Sequence, residues 1–189
     1  MKTTSCKRFT LIEMLVVIAI IAILAGLLFP ALGLARQNAR KSKANSECQS
    51  LKTAIIMYES EFSCWPVKPT KEGKALDDGD YKKLCDMLTG GNAKKMTFYE
   101  AGLGYDENEG MILDPWGIPY QVILDTDFDG KIENKEDAQE ISKTTKSAKQ
   151  EKLSARVIVF SYGGKFKNSS DAHKNLSKLS ANKQIVVVM

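Results

Sequence analysis

Two groups of residues have side chains and spacing from which chemistry could follow. The first is the acidic run Asp125-Thr126-Asp127-Phe128-Asp129-Gly130-Lys131-Ile132, which continues to Glu136. Carboxylates at alternate positions, then a glycine, then a distant acid reproduce the ligand spacing of an EF-hand loop. Asp125, Asp127 and Asp129 would each offer a carboxylate oxygen, Lys131 its backbone carbonyl, and Glu136 both carboxylate oxygens. Gly130 permits the sharp turn that makes them converge. An all-oxygen set suits a hard cation, so Ca²⁺ is the expected ligand; His and Cys, the donors zinc prefers, are missing from the segment. The preceding segment reads as strand rather than helix, and the competing reading is an acidic, solvated turn.

The second group surrounds Glu13. This acid stands immediately before Met14–Ala35, a run without a charged residue. About 20 apolar residues in a helix span roughly 30 Å of hydrocarbon, and a secretory signal has a shorter apolar core. A carboxylate in such a span is costly unless paired, which makes Glu13 a functional residue by default. A chain cut before Phe9 would place a new α-ammonium close to it, and close pairing offsets the desolvation of both charges. The alternative is that Glu13 simply reaches the headgroups. Cys6 precedes the apolar run, which excludes a lipoprotein signal.

Lys2, Lys7 and Arg8 lie on one side of the run, and Arg36, Arg40, Lys41 and Lys43 on the other. Counting them does not orient the span. The second cluster reads either as a contact for lipid headgroups or partner subunits, or as a solvated helix face. The net charge of +4 over 189 residues is mild, and no basic stripe interleaved with aromatics occurs, so no nucleic acid partner is expected. Cys48, Cys64 and Cys85 follow the span and allow at most one internal disulfide, for which Cys64 with Cys85 is the expected pair; the alternative is buried free thiols. His173, the only histidine, lies in a polar stretch and reads as a surface residue. No nucleophile elbow, phosphate loop or CxxC occurs, so no catalytic residue and no enzymatic activity are expected.

These groups need elements to position them. Leu51, Ala54, Ile55, Tyr58 and Phe62 recur at spacings of three and four, an amphipathic stripe. With the apolar run they predict one long helix over 9–62, on the order of 80 Å if continuous. Pro30, flanked by Gly26 and Gly33, is expected to kink or locally melt it, and Pro66 and Pro69 to end it. Asp78-Gly79-Asp80 leads into Tyr81, Leu84, Cys85 and Leu88 and then Gly90-Gly91, which predicts a short second helix. Strands are expected over 120–124, 156–162 and 184–188, and an exposed loop or loose helix over 143–152. The predicted fold is α+β: a long N-terminal helix, membrane-spanning in its first half, packed on a small antiparallel sheet. The domain order would be a leader (1–8), a stem (9–35), an amphipathic continuation (36–62) and a head (63–189) carrying the acidic loop 125–136.

Lys7-Arg8-Phe9-Thr10-Leu11-Ile12-Glu13-Met14-Leu15 followed by VVIAIIAIL resembles the leader and helix start of type IV pilins and type II secretion pseudopilins. The resemblance implies a prepilin peptidase that cuts before Phe9 and methylates its amine. It also gives Glu13 and Pro30 places in assembly. Arg8 stands where that family usually has Gly. Asp114-Pro115-Trp116-Gly117-Ile118-Pro119-Tyr120 resembles the DPWG-x-PY signature of the major, G-type pseudopilin, and Val159–Phe166 is similar to that family's late strand and loop. In the residues themselves, Asp-Pro and Gly make a tight turn that Trp116 anchors on the core. G-type pseudopilins bind one structural calcium in a head loop, which agrees with the acidic run.

The resemblance implies a non-catalytic subunit of a pseudopilus that supports protein export. Its partners would be copies of itself, other pseudopilins, the prepilin peptidase, an inner-membrane assembly platform and membrane lipid. It would be a single-pass protein of a bacterial inner membrane, with its head in the periplasm. Two other readings stay open: a minor type IV pilin for adhesion or DNA uptake, and a membrane-tethered calcium-binding module that does not polymerise.

Overall fold

The computed structural model describes residues 10–68, 71, 73–100, 102, 104–133, 151–164 and 186–188. By its internal contacts the chain divides into two units, 1–39 and 40–189.

In the first unit the described residues form the start of helix α1, which runs Leu11–Phe62. Isoleucine and valine are mediocre helix formers in water, but in hydrocarbon only a helix satisfies every backbone group of a single segment. The apolar side chains here are uncovered: Leu27 is 73% exposed and Phe29 likewise. The backbone stays helical through Pro30. The local melting expected there does not occur.

The second unit is the head. Its part of α1 buries Ala44, Cys48, Leu51, Ala54, Ile55 and Tyr58, the stripe predicted by the three-and-four spacing and extended two turns earlier. The helix stops at Phe62, ahead of Pro66, where Ser63 takes a positive φ of 54°. Pro69 lies outside the described residues. Helix α2, Asp78–Leu88, buries Tyr81, Leu84, Cys85 and Leu88. Its N-cap is Asp77, whose carboxylate accepts the Asp80 N–H at 2.8 Å, an ordinary way to satisfy a first-turn donor.

Two residues each form β1 (Tyr105–Asp106) and β2 (Met111–Ile112), an antiparallel hairpin. The main sheet has the order β3-β6-β7, from β3 (Gln121–Leu124), β6 (Val157–Ser161) and β7 (Val186–Val188), antiparallel throughout. Val122 faces Val159 across the first pair, and Val159 faces Val188 across the second. β4 (Ile132–Glu133) pairs antiparallel with β5 (Lys152–Leu153). The three expected strands are therefore present within their predicted spans. Both two-residue strand pairs are additions; of the loop or loose helix expected over 143–152, residues 143–150 lie outside the described residues and Lys152 belongs to a strand.

Every residue of β3 and β6 is buried. Alternate positions serve two cores. Tyr120, Val122, Leu124, Val157 and Val159 join α1 and α2, while Ile118, Ile123, Ile158, Phe160 and Tyr162 join Ile132, Leu153, Ala75 and Ala155. The second core explains why these strands read as continuous apolar runs instead of alternating ones.

Candidate functional site: an apolar stem and two aspartate-built head loops

The stem begins with a reciprocal cap. Glu13 Oε2 accepts both the Thr10 N–H and the Thr10 hydroxyl at 2.7 Å, and the Glu13 N–H donates to Thr10 Oγ1 at 3.3 Å. This is a capping box. It gives the Glu13 carboxylate partners from its own helix start. The sequence signal for it is Thr-x-x-Glu ahead of an apolar run. Arg8 and Phe9 lie outside the described residues. Among the described residues α1 is the one helix long and apolar enough to cross a membrane.

The turn after β2 is organised by Asp114, which is 5% exposed. Its Oδ1 accepts N–H bonds from Trp116 and Ile118, both at 2.9 Å, and its Oδ2 accepts the Ser161 hydroxyl at 2.5 Å. Ser161 Oγ in turn accepts the Gly163 N–H at 3.0 Å. Gly117 turns the chain at φ 84°, a conformation open to glycine without strain. Burial pushes the Asp114 carboxyl up from its ordinary value, against the opposing pull of its Ser161, Ile118 and Trp116 bonds, and nearby Glu47 pushes it further up. The Tyr120 hydroxyl donates to Glu47 Oε2 on α1 at 2.6 Å, so the turn is tied to the helix. Trp116 packs against the helix-side core, as expected. It also lies over Gly164, where a Cβ would run into the indole.

The acidic loop follows β3 directly. Asp125 is fully buried, with its N–H bonded to the Arg156 carbonyl at 2.9 Å. Its Oδ1 accepts from Asp127 N at 3.2 Å and Phe128 N at 2.9 Å, and its Oδ2 from Gly130 N at 2.8 Å. Asp127 Oδ1 accepts from Asp129 N at 3.3 Å, and Asp129 Oδ1 from Lys131 N at 2.8 Å. The chain coils around successive carboxylates, with positive φ at Phe128 (60°) and Gly130 (81°). One oxygen from each of Asp125, Asp127 and Asp129 lies within 4.8 Å of the others. Burial raises the Asp125 carboxyl, as does its hydrogen bond with Asp127, while the N–H bonds oppose the rise. Asp129 is held below its ordinary value, chiefly by the Lys152 ammonium at 2.7 Å from Oδ2.

Trp65, just beyond α1, braces this loop. Its Nε1–H donates to the Asp125 carbonyl at 2.5 Å, and its ring stacks on Phe128 with centroids 5.2 Å apart. Arg156 lies over the Trp65 ring and pairs with Glu59 of α1 at 2.8 Å. Spacing did not reveal Trp65, Lys152 or Arg156, because each reaches the loop from a distant part of the chain.

Of the five expected metal ligands, the structure brings Asp125, Asp127 and Asp129 together. Glu136 lies outside the described residues, and for Lys131 the backbone N–H is engaged with Asp129. The expected Cys64–Cys85 pair does not form: Cys64 is exposed, while Cys85 is buried on α2 and Cys48 on α1, and all three are free thiols. Burial raises the Cys85 thiol to about 11, consistent with an unreactive core residue. His173 lies outside the described residues.

An exposed apolar helix opened by Thr10 and Glu13, joined to a helix-and-sheet head, defines a pilin-like membrane-anchored subunit. Residues 9–29 match the model of the prokaryotic N-terminal methylation motif. The type II secretion system core protein G of Aeromonas hydrophila is 36% identical over 125 residues, covering 66% of this chain and 77% of that protein. The core protein G of Klebsiella michiganensis is 31% identical over 123 residues, 65% and 77% respectively. The type IV major pilin protein PilE1 of Neisseria gonorrhoeae is 37% identical over 113 residues, 59% and 62%. No solved structure matches. The chain belongs to the type II secretion system core protein G family.

Proposed function

We propose that this chain is the structural subunit of a type II secretion pseudopilus. The observation that carries the reading is the methylation motif on a helix whose apolar side chains are uncovered in the single chain. Such a surface needs lipid before assembly and sister stems after it. Processing before Phe9 would free an amine beside Glu13, which a neighbouring subunit's Glu13 could meet in the filament. The partners in this reading are copies of the chain, other pseudopilins, the prepilin peptidase and the inner-membrane assembly platform. The stem anchors the chain in the inner membrane and the head stands in the periplasm. The chain supports export by polymerising and catalyses nothing itself.

The acidic loop is read as a structural calcium site. Calcium binds oxygens at about 2.3–2.6 Å, so oxygens on opposite sides of one ion lie about 5 Å apart. The 4.8 Å envelope of the three aspartates fits that requirement. Asp125, Asp127 and Asp129 would hold the ion, with Lys131 and Glu136 as the further ligands implied by spacing. Bound calcium would neutralise the carboxylates and fix the loop against Trp65.

The deciding experiment is the intact mass of the protein from native membranes, together with crosslinking through cysteines placed in the stem. A methylated chain beginning at Phe9 that crosslinks stem to stem is expected. A chain that keeps residues 1–8 and never crosslinks would overturn the polymer reading in favour of a tethered module.

A further inference from the structure

Asp125, the first residue of the acidic loop, is held by its backbone as well as by its side chain. Its N–H donates to the Arg156 carbonyl at 2.9 Å, and its own carbonyl accepts the Trp65 indole N–H at 2.5 Å. The guanidinium of the same Arg156 lies over the Trp65 ring, 5.5 Å from its centroid. Asp125, Trp65 and Arg156 therefore close a ring of contacts where β3 ends and β6 begins. Glu59 ties that ring to α1. Its carboxylate pairs with Arg156 at 2.8 Å, and its carbonyl accepts the Ser63 N–H at 2.7 Å, a bond that closes the end of the helix. Glu59, Trp65 and Arg156 all stand outside the D-x-D-x-D-G run. All of these residues lie in one unit of the chain, 40–189.

Resting on the calcium reading of the acidic loop, we propose that Glu59 and Arg156 are positioning residues for that ion and couple its binding to the last turn of α1. Converging carboxylates repel one another, so they keep a ligand geometry only where the backbone beneath them is fixed. Asp125 is fully buried, and both of its backbone groups are bonded. It cannot retreat from Asp127 and Asp129 without breaking the ring. Arg156 fixes the Trp65 indole by lying over it, a contact that the planar guanidinium makes and a lysine ammonium does not reproduce. Glu59 pairs the guanidinium on the α1 side, so the arginine braces the loop without leaving an unpaired cation near the ion. Removing supporting residues of this kind lowers metal affinity about 10–100-fold. Linkage makes the effect reciprocal: a brace that favours the loaded loop also makes the last turn of α1 more stable when calcium binds. The competing account is an ion pair that merely stabilises the helix end. Glu61 supplies the comparison, because it lies two residues further along α1 and pairs with Lys94 instead.

The test titrates calcium chloride into the full chain in detergent by isothermal calorimetry, and follows hydrogen exchange of the amides of residues 59–63 with and without calcium. The Glu59 and Arg156 side chains are 17% and 40% exposed, so substituting them should leave the chain folded. E59Q and R156K should each weaken calcium binding about tenfold, and E61Q should leave it unchanged. The double variant E59Q/R156K should lose little more than either single one, because both act through one set of contacts. Calcium should slow exchange at 59–63 in the native chain and in E61Q, and not in E59Q. D127A separates the two ways of failing. A native chain that binds no calcium, or binds it as D127A does, overturns the calcium reading and this coupling with it. If binding depends on Asp127 but survives E59Q and R156K unchanged, the site stands and the coupling is overturned. Equal losses in E59Q and E61Q also overturn it, since they would mark a general loosening of the helix end.

Discussion

The two aspartate-built loops of the head use the same device and finish it differently. In both, a buried carboxylate at the end of an apolar segment collects N–H groups from the residues that follow it: Asp114 takes two, and Asp125 takes three. Around Asp114 the arrangement is closed. Its second oxygen meets the Ser161 hydroxyl, and Gly163 completes that serine's bonding. Around Asp125 the chain adds two more carboxylates within reach of the first, and the balancing cation seen there is the half-exposed Lys152 on Asp129. A single buried acid surrounded by neutral donors is a structural knot. Three acids turned toward one point, with one lysine at the edge, form a site whose electrostatics a divalent cation would complete.

The largest effect is expected at the closed loop. Asp114→Ala would strand the Trp116 and Ile118 N–H groups and the Ser161 hydroxyl. With roughly 1 kcal/mol or more for each buried donor left unsatisfied, the loss should be about 3 kcal/mol. Asp114→Asn keeps an acceptor oxygen for the two N–H groups and removes the buried charge, so its loss should be about 1 kcal/mol. Both values can be read from urea unfolding of the full chain in detergent, and neither should change with calcium. Equal losses for Asn and Ala would mean that the charge, not the acceptor geometry, holds the turn.

Calcium should act at the other loop. At about a hundred times its dissociation constant a ligand adds about 2.7 kcal/mol of stability, so millimolar calcium should raise the Tm of the native chain clearly. Asp127→Ala should abolish the shift while costing little stability without calcium, because Asp127 is exposed. Trp65 supplies a second readout. Its hydrogen bond to the Asp125 carbonyl and its stacking on Phe128 should make its emission respond to calcium in a Trp116→Phe background. No shift in Tm, or an equal shift in Asp127→Ala, would reduce the acidic loop to a solvated turn.

Much of this contrast is legible in the sequence, but not all of it. Local patterns carried far: the spacing of Tyr81, Leu84, Cys85 and Leu88 with Gly90 gave α2, and the apolar runs gave β3, β6 and β7. The D-x-D-x-D-G spacing brought three aspartates together as expected. The strand pairs β1–β2 and β4–β5 were invisible because two-residue strands are set by cross-chain hydrogen bonds and have no period to read. The disulfide expectation failed for a related reason. Parity allows one bond, but it does not say that α2 turns Cys85 into the core while Cys64 stays at the surface. Trp65, Arg156 and Lys152 reach the acidic loop from 60, 31 and 23 residues away, counted from the positions they meet (125−65, 156−125, 152−129). Long-range placement of that kind comes from the sheet register, not from composition. Thr10 is different: its Thr-x-x-Glu spacing ahead of an apolar run is a local signal that needs no long-range placement.

The smallest effect separates the two cations that could serve Asp129. Lys152→Gln removes a partly exposed ion pair, worth little in water at ordinary salt, so stability without calcium should hardly change. If Lys152 occupies the charge position that calcium would take, its loss should tighten calcium binding several-fold, measured by the Trp65 signal. The acid limb of stability sharpens the same point. Asp129 has a folded pKa lowered by Lys152, so its contribution is present above the ordinary carboxylate value and is lost as the pH falls through the lowered one. Lys152→Gln should remove that limb. Asp125 is raised mainly by burial, so it takes up its proton at a higher pH than Asp129 does. Calcium stabilisation should therefore fade on acidification before the Asp129–Lys152 contribution is lost. The reverse order would mean that Asp125 is not a ligand and that the loop gathers its charge at the exposed aspartates alone.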